Sequence, residues 1–219
     1  MAPRLQELHP SLVHFPIALM PVAIVADLLA HVTGSRRLAE VGRTLMPVAA
    51  ASAAVASAAG LVAAVEVNAQ GKAGDILATH RNMNLSLTAV TTLMAAWRMG
   101  EDEPSVGYLA LGLAGLGALS YSAYLGGNMV YEHGVGVKPA DGLRDPETPQ
   151  LKPGQLGEAA RRAAADLKAS IPPTIEDLKA GRLAPSLGQD LENPMGAPPT
   201  GRAGSDPVPD GAGAPESIP

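Results

Sequence analysis

An all-α, four-helix transmembrane bundle followed by a disordered, Pro/Gly-rich tail is the fold this sequence predicts. Three observations lead there. Four runs of about 20 residues have the length and apolar character of membrane-crossing helices. Two of them carry small residues at every fourth position, the pattern of helices whose backbones approach closely. Composition also splits the chain. Residues 11–131 are dominated by Ala, Leu, Val, Gly and Met, whereas residues 138–219 lack Phe, Trp and Tyr and hold fourteen of the 20 prolines. Such a tail buries too little apolar surface to offset its ordering entropy. The expected domains are therefore a membrane domain at 1–137 and a largely disordered tail at 138–219, with candidate short helices near 155–170 and 174–183.

The first span, about 11–32, ends at Gly34 with Arg36 and Arg37 beyond it. Pro16 falls where a helix start tolerates it, and Pro21 is expected to bend the helix. The second span, about 44–65, carries the small row Ser52, Ala56, Gly60 and Ala64. The third, about 79–99, is less hydrophobic and bears a polar row of His80, Asn84, Thr88 and Thr92. Lipid offers such a row no partner, so it should face the bundle interior. The fourth span, about 106–131, repeats the small pattern at Ala110, Ala114, Ala118, Ser122 and Gly126.

Four spans return both termini to one side of the membrane. That side carries His9, His14, Glu66, the 68–78 connection, His80, His133 and the tail. The opposite side carries the compact connection with Arg36, Arg37 and Arg43, which favours it as cytoplasmic. The expectation is a multi-pass protein of a bacterial inner membrane with both termini outward. The apolar start is too long, and too rich in proline, for a cleaved signal peptide.

Several function classes drop out. A net charge of −5 argues against nucleic acid as a partner. The absence of cysteine rules out disulfides, covalent c-type haem attachment, cysteine-held iron–sulfur clusters and thiol catalysis in this chain. No nucleophile–histidine–acid order, zinc-protease helix or dinucleotide fingerprint is present. The glycines in 134–137 lack the lysine and the strand–helix setting of a phosphate loop.

Four segments together are familiar: His9-Pro-Ser-Leu-Val-His-Phe-Pro-Ile-Ala-Leu19, Asp27-Leu-Leu, His80-Arg-Asn-Met-Asn-Leu85 and Gly127-Asn-Met-Val-Tyr-Glu-His-Gly-Val-Gly-Val137. In that order they resemble a bacterial family of predicted membrane proteins, domain of unknown function 2231, over about residues 9–137. The resemblance implies four membrane helices with no assigned activity. Some members resemble fusions or neighbours of cytochrome c-type and Rieske-type domains, which implies electron transfer with a periplasmic redox partner or within a membrane complex.

Imidazole ligates haem iron, copper and zinc, and helical bundles build such sites from facing helices. His14, His80 and His133 are the candidate ligands of a haem b. His9, His14, Glu66, His80 and His133 are the candidate ligands of a copper, zinc or iron ion, with Glu132 as a further carboxylate. His14 ranks above His9, which precedes Pro10 and could simply cap the membrane entry. The plain alternative is a cofactor-free structural subunit in contact with lipid, its histidines hydrogen-bonded to carbonyls or headgroups. Asp27 and His31 form a separate intramembrane pair one turn apart, with Arg43 and Arg98 as alternative partners for the aspartate.

Overall fold

The computed structural model describes residues 4–144 and 149–187. Among them the chain forms helices α1 (Leu5–Leu12), α2 (His14–Thr33), α3 (Arg36–Glu66), α4 (Lys72–Met99), α5 (Val106–Tyr131) and α6 (Leu156–Lys179), with a 3-10 turn at Lys138–Ala140. The strand-like pairings among these residues are two isolated bridges, Arg4 with Gln150 and Val67 with Leu143.

The first two helices run end to end. Pro16 has no N–H to give the Leu12 carbonyl, so the ladder falters at Val13. It resumes at once, because the Val13 amide donates to the His9 carbonyl (3.0 Å) and the Ile17 amide to the Val13 carbonyl (3.1 Å). The helix thus begins nearly two turns before the expected start at 11. Gly34, in the left-handed region at φ 67°, ends it. Ser35 caps α3, its hydroxyl accepting from the Leu38 amide at 3.5 Å. The expected arginine-rich loop is therefore a two-residue turn, and Arg36, Arg37 and Arg43 ride on the first turns of α3. Likewise α4 starts at Lys72 rather than 79, which turns most of the 68–78 connection into helix.

Three helical stretches, Leu5–Thr33, Arg36–Glu66 and Val106–Tyr131, are long and apolar enough to cross a membrane. The 28-residue α4 is comparable in length but not in hydropathy, so of the four apolar spans expected three meet the criterion. Valine and leucine point outward: Val22, Val25 and Leu29 on α2, Val48 and Val55 on α3, and Leu113 on α5 are exposed. The interior is built largely of alanine and methionine around Ile24, with Met20, Ala23, Met46, Ala49 and Met94 fully or almost fully buried. Of the small residues expected on α5, Ala110 and Ala114 face outward; Gly112 and Gly115 pack against Ile24 and Met20 of α2 instead.

The tail is the largest departure from expectation. Residues 149–187 are largely helical and packed on the bundle, and the two short helices expected there are one continuous α6 that carries Pro172 and Pro173 in its interior. Ala159 is wholly buried against Leu5 of α1 and Val62 of α3. Nor does packing stop at 137. The loop after α5 returns over the end of α3, where the Arg144 amide donates to the Glu66 carbonyl at 2.9 Å. The aromatic-poor composition misleads because α6 docks through alanines and ion pairs, which need no large apolar side chains. Residues 188–219 of the expected tail lie outside the described residues.

Candidate functional site

Two imidazoles meet between the helices. His9 of α1 and His80 of α4 stand with ring centroids 6.0 Å apart, nearly perpendicular at 82°. Each is tied to a helix that carries neither of them. His9 Nδ1 donates to the Ala56 carbonyl of α3 at 2.9 Å, and His80 Nδ1 to the Ser122 carbonyl of α5 at 2.9 Å. A carbonyl can only accept, so each Nδ1 carries the proton and each Nε2 offers a lone pair. The Asn84 amide donates to His80 Nε2 at 3.1 Å and to the His80 carbonyl at 2.8 Å.

Small residues make the arrangement possible. A Cβ at Gly60 would stand 3.0 Å from His9, and one at Gly126 would stand 3.3 Å from His80. Both glycines belong to the every-fourth-residue rows read from the sequence. Ala56 and Ser122, one turn away in the same rows, present the accepting carbonyls. The rows are thus beds for two imidazoles as well as surfaces for helix packing.

The other sequence candidates lie apart. His14 is exposed on the first turn of α2 and reaches only the Ser11 carbonyl, at 3.4 Å. His133 and Glu132 are exposed beyond the end of α5. The expected set of His14, His80 and His133 is therefore not brought together; the histidine packed beside His80 is His9, on the preceding short helix. Among the described residues no three His, Cys, Asp or Glu side chains gather as a metal-holding group.

Glu66 has a different setting. It is 1% exposed at the end of α3, and its Oε1 accepts from Arg162 Nε of α6 at 2.8 Å. Asp166, one turn on from Arg162, lies 3.5 Å from the same guanidinium nitrogen, and Glu66 Oε2 and Asp166 Oδ2 are both buried without a hydrogen-bond partner among the described residues. Burial first, then the Glu66 carboxylate beside it, push the Asp166 carboxyl up to about 6, with Arg162 opposing. No local pattern announces this cluster, because Glu66 and Arg162 are 96 residues apart.

That cluster predicts how α6 docking responds to pH. A carboxyl with its pKa raised by folding contributes stability that is fully present below its unfolded value, near 4, and is lost as pH rises through about 6. Amide protection of α6, corrected for intrinsic exchange, should be greater at pH 5 than at pH 7. Asp166→Asn should reduce the difference. Protection that is unchanged in the parent chain, or equally pH-dependent in the variant, would contradict the assignment.

At the other end of the bundle Asp27 and Arg98 are both wholly buried, with Nε to Oδ1 at 3.0 Å. Arg98 also donates to the Glu101 carbonyl (2.6 Å) and the Ala39 carbonyl (2.8 Å). His31 is exposed and bonds the Pro104 carbonyl at 3.2 Å, so the aspartate's partner is Arg98 rather than His31. A Cβ at Gly42 would overlap the Asp27 carboxylate.

No curated protein and no solved structure matches the chain. A family model described as "Predicted membrane protein (DUF2231)" matches residues 6–139, from α1 through α5 and into the 3-10 turn, with His9 and His80 inside the match and α6 outside it. That is more than half of the 219 residues, and the chain belongs to the DUF2231 family of predicted membrane proteins.

Proposed function

We propose that this protein is a four-span membrane bundle in which His9 and His80 would together hold a haem b, which would supply electron transfer to a partner on the side of the termini. The carrying observation is the imidazole pair itself. Metal-bound histidines donate their other ring N–H to a carbonyl or carboxylate, the bond each Nδ1 makes here. The ring centroids stand 6.0 Å apart, close enough for both imidazoles to reach one bound group. Haem supplies four of its iron's ligands and asks the protein for two. A bare zinc ion takes three or four protein donors, and no third donor gathers here among the described residues. Asn84 would give up its bond to His80 Nε2 and keep the one to the His80 carbonyl.

The fourth span in this reading is α4. Its polar side chains are satisfied within the bundle, as membrane depth requires. Thr91 donates to the Leu87 carbonyl, Thr92 to the Thr88 carbonyl and Ser86 to the Asn82 carbonyl, and Thr88 meets Ser57 of α3 at 2.7 Å. Four spans put both termini on one side of a bacterial inner membrane. The arginines at the start of α3 argue that this side is outward.

The test is the visible spectrum of protein produced with haem available. A Soret band with sharpened α and β bands on reduction is expected, lost in His9→Ala and His80→Ala and retained in His14→Ala and His133→Ala. Copper or zinc bound in place of haem, lost in the same two variants, would keep the ligand pair and replace the cofactor. If neither haem nor metal binds, the pair is a structural one, its imidazoles serving only as interhelical hydrogen bonds.

A further inference from the structure

The second half of helix α6 wears its polarity inside out. The side turned to the bundle carries Asp166, Ser170, Thr174 and Asp177, the first three buried and the last ion-paired with Arg81. The side turned away carries Ile171, Ile175 and Leu178, at the i, i+4, i+7 spacing of one helix face, all more than 40% exposed. We propose that α6 lies in the plane of the membrane surface with this apolar row immersed among lipid chains. The proposal rests on the reading of the bundle as membrane-spanning.

Depth is the first argument. The bundle residues that hold α6 and the turn after it are Val62 and Glu66 at the end of α3 and Asp75, Thr79 and Arg81 at the start of α4. The 31 residues of α3 extend about 46 Å, against about 30 Å of hydrocarbon, so its final turns stand in the headgroup layer. Amphipathic helices that bind membranes without crossing them occupy that layer.

Continuity is the second. Val41, Val48, Val55 and Val62 form one row along α3. The first three are 40%, 48% and 56% exposed, as lipid-facing residues are; the fourth is 7% exposed because α6 covers it. Helix α6 thus begins where the lipid-facing row of α3 ends. Charge agrees: Lys168 and Lys179 are exposed just before and just after the apolar row, where long amines reach phosphates while their stems stay in apolar surroundings.

The experiment uses the full chain, with Trp97→Phe as background, in vesicles of anionic phospholipid brominated high on the acyl chain. Single reporters Ile175→Trp on α6 and Val48→Trp on α3 both replace exposed side chains. Both should lose fluorescence to the brominated lipid, relative to unbrominated vesicles, and Ile175→Trp should resist quenching by aqueous iodide. Quenching of Val48→Trp without Ile175→Trp would overturn the α6 proposal and leave the spanning bundle intact, whether water, a second copy or a soluble protein covers the row. Quenching of neither would overturn the spanning reading and the α6 proposal with it.

Discussion

Asp27→Ala is expected to destabilise the protein by about 3–5 kcal/mol, because it leaves the Arg98 guanidinium buried without a counter-charge. Both side chains are wholly excluded from solvent. Arg98 joins three parts of the chain: Asp27 of α2, the Ala39 carbonyl of α3 and the Glu101 carbonyl of the turn before α5. Its loss is therefore felt by four helices. Arg98→Met should be comparably costly, since it strands the aspartate. The double variant Asp27→Ala/Arg98→Met should cost less than the two singles added, because no bare charge is left. Gly42→Val should reproduce the single-variant loss with both charges present, since the bed of the carboxylate is filled. Unfolding by denaturant in detergent measures all four. Additive singles, or a neutral Gly42→Val, would show that the helices do not depend on this ion pair.

The membrane part of the fold is legible in the sequence because apolar length and the four-residue small rows are local patterns. Ala56 and Gly60 announce a close approach on α3, and a close approach is there. The visitor is not announced. His9 reaches across to a carbonyl 47 residues away, and nothing local distinguishes it from His14, which differs by five positions and points outward. His80 and Asn84 of the polar row on α4 face inward, yet Thr92 of the same row is exposed and Thr91 is the buried one. A row drawn every four residues drifts around a helix of 3.6 residues per turn, so its far end leaves the face where it began.

The tail departs from expectation for a different reason. Aromatic content and proline frequency measure whether a segment can build a core of its own. Helix α6 does not build one; it borrows the flanks of α1, α3 and α4. Its signal is the spacing of Ala159, Ala163, Asp166, Ser170 and Thr174, a single face of small and polar residues. That pattern reads as solvent-facing unless a partner is known. Arg162 and Asp166 acquire meaning only once Glu66, far back in the chain, is placed opposite them.

Removal of α6 should therefore be felt at the imidazole pair. Helix α1 has only 8 residues and joins α2 where Pro16 interrupts the hydrogen-bond ladder. It is fixed on one side by the His9 bond to Ala56 and on the other by Leu5, which packs with Val62 and Ala159. A chain ending at Arg144 lacks Ala159 and the flanking Leu151, Ala163 and Leu167, and leaves Leu5 and Val62 bare. The apolar surface uncovered in this way is worth about 3 kcal/mol. In a chain of this size that is a fall in Tm of about 6–12 °C. A chain ending at Leu187, which keeps the whole of α6 and its packing on the bundle, is the reference. Ala159→Glu in the full chain should act in the same direction, since a charged side chain has no room at a position with no exposed surface. In both variants α1 loosens, so His9 should leave the Ala56 carbonyl while His80 stays on its Ser122 carbonyl, and the haem proposed for the pair should be retained by a smaller fraction of the protein. A truncated chain with unchanged Tm and unchanged amide protection of α1 would show that α6 rests on the bundle without holding α1 in place.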